Sequence, residues 1–288
     1  MRIIPALLKW NDPGTSFSAI IQLGPIIAII IYFRTQLAKY SRGIVRSFKA
    51  GKMFPAGDIE AKLGWYVLLG TIPLIIFGLL LEKRVNTQYR NLYLVGGALI
   101  LLGLILGWAE LVSKRNKTMS ELSFREAMLI GLSQVLALVP GASRSGCTIT
   151  TGLFSNLNRE DAADFSFLLS VPAITLAGLY KLAKVAKVSG LGHELPIYLF
   201  ASLVAAVVAY IVIKLFLDYL KNDKNTTFPF IIYRVLLGII LIVIAYRGII
   251  SPNDLDRQNA VLNHSISNSN VAVTRPYASI FRVTNLPG

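Results

Sequence analysis

The chain has 288 residues, 54% of them apolar and 15% charged, with a mean hydropathy of +0.60 and a formal net charge of +14. That balance excludes an ordinary soluble domain, in which roughly a quarter of residues are charged. The basic excess lies in the segments between apolar runs and forms no stripe interleaved with aromatics, so the partner it implies is a membrane and not nucleic acid.

Residues 1–16 show no charged n-region with a cleavage site, so no signal peptide is expected. A bilayer span needs about 20 apolar residues, and the first such run is 18–33. The loop 34–63 follows, with Arg34, Lys39, Arg42, Arg46, Lys49, Lys52 and Lys62 against Asp58 and Glu60; the excess of Lys and Arg places it in the cytoplasm. Further spans are expected at 64–81, 92–109, 165–183, 195–219 and 229–249, six in all. Glycines in GGALILLG (96–103) could pack helices within one chain or between two, which leaves a homo-oligomer open. The expected fold is an all-α integral membrane domain over 1–250. The polar, Asn- and Ser-rich stretch 251–288 is expected to be a disordered tail.

Segment 126–160 is different. It begins as an apolar helix, breaks at Pro140-Gly141, restarts near Ser143 or Ser145 and reaches a polar turn at Asn156–Asp161. Each half is too short to span. If the segment returns to the side it came from, loops 34–63, 110–125 and 220–228 share the inside with seven, four and two basic residues. Loops 82–91 and 184–194 then lie outside with three and two, beside residues 1–16 and the tail.

Broken backbone at membrane depth is tolerated where it is buried in protein or lines a watery cavity. A helix restarting there aims free N–H groups and a positive dipole end into that cavity, which suits an anion. Arg144 adds a planar fork of donors matching phosphate oxygens. Ser143, Ser145 and Thr148 add neutral donors, and Gly141 and Gly146 allow close approach after Pro140. The competing reading is a Pro-kinked helix whose arginine pairs with an acid or carbonyl and whose hydroxyls bond back to the preceding turn. Gln134 is either a lining residue or an interhelical hydrogen bond. Asp164 and Ser166 precede the next span, and Asp164 is expected to cap its helix. Cys147, the lone cysteine, reads as packing. With one cysteine and two histidines, His193 and His264, a metal site has little to draw on.

An internal likeness joins FSAIIQLGPIIA (17–28) to FSFLLSVPAITL (165–176) at an offset of 148. Under this topology the copies start on opposite sides, as inverted repeats do around a midplane site. The counterpart of Gln134–Thr148 would then fall immediately before Met1.

PGASRSGCT (140–148), DFSFLLSVPAI (164–174) and SFSAIIQLGPIIAIIIYF (16–33) closely resemble the undecaprenyl-diphosphate phosphatase family, also called the BacA or UppP bacitracin-resistance proteins. The resemblance implies an inner-membrane enzyme with inverted repeats and two re-entrant hairpins. It implies hydrolysis of undecaprenyl diphosphate to the monophosphate and phosphate on the periplasmic side, recycling a carrier for peptidoglycan, with a magnesium or calcium ion in its chemistry. The family's active-site Ser, Arg and Thr fall on Ser143, Arg144 and Thr148. Its other motif, a glutamate-rich EGxTEFLPxSSxxH stretch, would precede RIIPALLKWNDPG (2–14) and is absent. The acids present, Glu82, Glu110, Glu121, Glu126 and Glu194, are expected in or near loops. This exact chain is accordingly expected to have weak or no phosphatase activity, Met1 being an internal or misassigned start or the gene being truncated. Two other readings stay open: a transporter or flippase of an anionic lipid or small anion, and an inactive product.

Overall fold

The computed structural model describes residues 21, 23–87, 92–189, 195–222 and 224–248, without the side chains of 82–87, 181–189, 195 and 198. Residues 1–20, His193, Glu194, His264, the 251–288 tail and the Glu82 side chain lie outside what it describes.

The described elements are helices α1 (Leu23–Tyr32), α2 (Arg34–Lys49), α3 (Ile59–Thr87), α4 (Leu92–Val112), α5 (Phe124–Ser133), α6 (Arg144–Phe154), α7 (Arg159–Ser189), α8 (Leu195–Leu220) and α9 (Phe228–Tyr246). Five stretches, Ile59–Leu81, Leu92–Val112, Arg159–Tyr180, Leu199–Leu220 and Phe228–Tyr246, are long and apolar enough to cross a membrane. Their outward faces are apolar: Leu203, Val207, Ile211 and Leu215 of α8 are all exposed, a surface suited to lipid and not to water. This is an all-α integral membrane protein. The sixth expected span is described only in its later part, as α1.

The 34–63 loop is a misreading, because 34–49 is helical. The Leu37 N–H donates to Phe33 O at 2.9 Å, so α2 continues α1 with a change of character from apolar to basic. Tyr40, Gly43 and Ser47 repeat every three or four residues along its buried face. That period is easily lost among the charges. At Gly43 a Cβ would stand 2.4 Å from the Ala61 N, so α2 and α3 touch backbone to backbone.

The segments assigned to one side by charge meet at one end of the bundle. Lys62 Nζ donates to Ser120 O at 3.0 Å, and Thr227 Oγ1 donates to Glu110 Oε2 at 3.0 Å. Glu110 also receives Arg159 Nε at 2.7 Å, a second contact from Arg159 Nη2, and Arg115 Nη1 at 3.1 Å. Glu110 was expected in or near a loop. It stands beside one, in the last turn of α4, but at 3% exposure, because the helix runs past its apolar stretch and the acid finds two arginines there. Asp164 does not cap its helix. The α7 helix starts five residues earlier, where Asn158 Oδ1 accepts from the Asp161 N–H at 2.7 Å, and Asp164 sits in its second turn.

Small residues set the closest crossings. A Cβ at Gly96 would lie 2.8 Å from Gly238 O, and one at Gly238 would lie 2.7 Å from Gly96 O, so this glycine face packs α4 on α9 within the chain. The core gathers Phe33, Ile130, Leu153, Phe165, Leu168, Leu169 and Leu217 between α1, the broken segment, α7 and α8.

Candidate active site

The broken segment is a hairpin whose feet are tied together. Lys117 N–H donates to Asn156 O at 3.0 Å, and Asn158 N–H donates back to Lys117 O at 2.9 Å. The chain therefore enters and leaves at the same end of the bundle.

The inbound arm, α5, starts with a reciprocal cap: the Glu126 N–H donates to Ser123 Oγ at 3.3 Å and Ser123 N–H to Glu126 Oε2 at 2.9 Å. The arm then crosses α3 at Gly131, where a Cβ would lie 2.4 Å from Gly70 O. Past Ser133 the helix tightens into a 3₁₀ turn, Gln134–Leu138. Gln134 is fully buried and its Nε2 donates to Gly70 O at 3.2 Å, which makes it an interhelical hydrogen bond and not part of the cavity wall. Its Oε1 has no partner among the described residues.

The helix stops at Val139, which is extended, because Pro140 offers no N–H to continue it. Gly141 at φ 92° passes so close to α4 that a Cβ would meet Val95 O at 2.5 Å. Ser143 then takes φ 59°, unusual for a residue with a side chain, and its Oγ accepts the Gly146 N–H at 3.3 Å. The outbound arm α6 begins at Arg144. The N–H groups of Arg144 and Ser145 occupy the open end of the helix, where no acceptor exists within it.

Arg144 and Ser145 line a cavity of about 240 Å³ with Ile29, Ser166, Phe167 and Ser170. The helix end thus faces α7 and α1. Among the described residues no carboxylate lines the cavity, and no hydrogen bond or ion pair of the Arg144 side chain is found. Thr148, fully buried, turns its hydroxyl to Arg144 O (3.0 Å), Ser145 O (3.1 Å) and Ser166 Oγ (2.5 Å). Carbonyls only accept, so Thr148 donates to one of them and Ser166 donates to Thr148. Thr150 and Thr151 bond back to Gly146 O and Cys147 O, as the hydroxyls do in the kinked-helix reading. Cys147 is buried, with its Sγ 3.5 Å from Ala142 O.

Of the residues singled out in the sequence, Arg144 and Ser145 meet at the cavity with Ser166. Ser143, Gly146 and Thr148 shape the turn behind it, Pro140 and Gly141 make the break, and Gln134 stands apart. Sequence reasoning missed Ser170, one helical turn from Ser166, and missed Arg234. The latter is the one charged residue of α9, 7% exposed, and its Nη2 donates to Ala142 O at 2.9 Å. An arginine inside an apolar run was signal enough.

Among the described residues no group of three or more His, Cys, Asp or Glu is placed to hold a metal ion. The described donors around the cavity fit an anion and do not fit a cation.

A family model described as "Bacitracin resistance protein BacA" matches residues 1–240. The chain is 43% identical over 256 residues to the undecaprenyl-diphosphatase of Chloroherpeton thalassium, covering 86% of this chain and 89% of that one. It is 44% identical to the protein of the same name from Chlorobium phaeovibrioides (88% and 91% covered), and 41% identical to that of Myxococcus xanthus (88% and 83% covered). With a match across most of its length and relatives well above 30% identity, the chain belongs to the BacA bacitracin-resistance family.

Proposed function

We propose that this protein is an undecaprenyl-diphosphate phosphatase, a membrane hydrolase that cleaves the phosphoric anhydride of undecaprenyl diphosphate to undecaprenyl phosphate and inorganic phosphate. The reading carries with it a part in lipid-carrier recycling for cell-wall synthesis, and bacitracin resistance. The observation that carries it is the restarted helix α6, with Arg144 at its first position facing a cavity whose described wall holds no acid. Relatives named for a diphosphatase favour it over a transporter of intact anions.

Hydrolysis of a diphosphate needs negative charge offset on two phosphoryl groups and water held in line. In this reading Arg144 grips phosphoryl oxygens through two parallel N–H bonds, and the N–H groups of Arg144 and Ser145 receive the charge that builds on the bridging or terminal oxygens. Ser166 and Ser170 face the same space; their hydroxyls donate to Thr148 Oγ1 and to Phe167 O, so each orients a phosphoryl oxygen by turning its proton from that partner to the anion. Ser143 and Gly146 keep the turn open, and Pro140 and Gly141 aim it. The polyprenyl tail leaves between helices into lipid. A divalent cation belongs to the reading through the family. Because the described wall offers it no ligands, no step here runs through one.

The helix α6 has 11 residues, so its start stands about 16 Å from the basic end of the bundle, near the middle of a ~30 Å hydrocarbon layer. With that basic end in the cytoplasm, the cavity is reached from the far side, which in an inner membrane is the periplasm.

The test is phosphate release from undecaprenyl diphosphate by the purified protein in detergent, with magnesium or calcium, beside Arg144→Ala. Release in the parent and a loss on the order of 100-fold in the variant are expected, the usual effect of one preorganised donor. Equal rates in the two proteins would remove Arg144 from the chemistry, and movement of intact lipid without release would replace the enzyme by a transporter.

A further inference from the structure

We infer that Arg234 is a positioning residue for the anion site at the start of α6. It clamps the strained turn from behind and gives the helix end a second positive charge. The inference rests on the reading of that helix end as a phosphate site.

Arg234 reaches the turn from a different element, α9. Its Nη2 donates to Ala142 O at 2.9 Å, one residue before the left-handed Ser143. Its Nη1 fills the space over Gly146, where a Cβ would lie 2.1 Å away. Its Nε is buried with no partner among the described residues. The guanidinium therefore covers the first turn of α6 on the side away from the cavity, whose wall it does not join.

This placement is unfavourable unless something offsets it. A helix start is already positive, and cations are favoured at the opposite end. Arg234 is 7% exposed, and among the described residues no acid pairs with it. A buried cation with one carbonyl bond and an idle donor is a costly arrangement on its own. Its cost falls when a multiply charged anion sits on the other face of the same turn, because little water lies between to screen the attraction. The carbonyl bond also holds Ala142, and so fixes Ser143 in a conformation it would leave if released. The first effect favours a dianionic or trianionic headgroup over a singly charged one.

Gly146 supplies the probe. Alanine is a better helix former than glycine, and the atom it would strike is the movable end of the Arg234 side chain. Gly146→Ala should leave α6 intact and push the guanidinium off the turn.

The experiment measures binding of inorganic pyrophosphate to the full chain in detergent, by titration calorimetry, and kcat and KM for undecaprenyl diphosphate. The variants are Arg234→Met, Gly146→Ala, the double variant and Arg144→Ala. Arg234→Met is expected to weaken pyrophosphate binding about tenfold, the scale of a charge–charge attraction across one helical turn with little water between, and to weaken phosphate binding less. Gly146→Ala is expected to show a smaller loss in the parent and none beyond that of Arg234→Met in the double variant. If Arg234→Met misfolds, Gly146→Ala alone carries the test, since the displaced arginine is still present. Parent-like pyrophosphate binding in Gly146→Ala, or an equal cost of Gly146→Ala with and without Arg234, would overturn the inference. Parent-like behaviour of Arg144→Ala would instead overturn the phosphate site itself.

Discussion

Replacing Glu110 by Gln tests how α4, α7 and α9 are held in register beneath the site. The carboxylate is 3% exposed and accepts from Arg159, Arg115 and Thr227. Breaking a buried ion pair by removing one partner costs about 3–5 kcal/mol. The Arg115 contact adds little, since that side chain is 36% exposed and surface pairs contribute about 0–1 kcal/mol. Glutamine keeps the volume and one oxygen, which can still accept from Thr227 or Arg159 and recovers about 1 kcal/mol. The expected net loss is therefore about 2–4 kcal/mol. Unfolding in mixed micelles with rising dodecyl sulfate, followed by circular dichroism, measures it. A cycle with Arg159→Met should give a coupling energy of at least about 1 kcal/mol. A loss below about 0.5 kcal/mol for Glu110→Gln, or strict additivity with Arg159→Met, would refute the argument.

Other positions give sharper yes-or-no outcomes. Gly131→Ala should displace α5 from α3 by at least several tenths of an ångström, because the new Cβ meets Gly70 backbone at 2.4 Å and backbone cannot step aside; loss of folded yield in detergent is expected, and a parent-like melting curve would contradict the crossing. Thr148→Val keeps the shape but strands the Ser166 hydroxyl, and turnover is expected to fall about tenfold while Thr148→Ser retains most of it. Equal rates in the two variants would remove the hydroxyl from consideration. Asp58 is held below the ordinary carboxylate range by its bonds to Arg46 and the Ala61 N–H. Its folded value lies under its unfolded one, so the tie between α2 and α3 is fully present at neutral pH. It weakens as the pH falls through the acidic range below the ordinary value, and Asp58→Asn should flatten that part of a stability–pH profile.

The membrane class and most helix positions could be read from the sequence because apolar runs of spanning length have few other uses. The break at Pro140-Gly141 was visible for a similar reason: proline removes a donor, and a bilayer does not forgive that silently. Helix α2 escaped notice since five basic residues mask its three- and four-residue spacing. Glu110 escaped because its meaning depends on Arg159, 49 residues away, which no local pattern brings to it; Arg234 stood out as an arginine in an apolar run, but its partner Ala142 lies 92 residues away. Gln134 shows the limit from the other side: the residue type allowed two roles, and only the neighbouring Gly70 carbonyl decides between them.

The tied feet of the hairpin bear on how such a protein could arise. Because the segment leaves on the side where it enters, it contributes nothing to the parity of crossings, and α7, α8 and α9 keep their orientation whether it is present or not. A broken-helix site can then be gained, lost or altered inside the chain without inverting everything made after it. A seventh full crossing in the same place would turn the rest of the protein upside down.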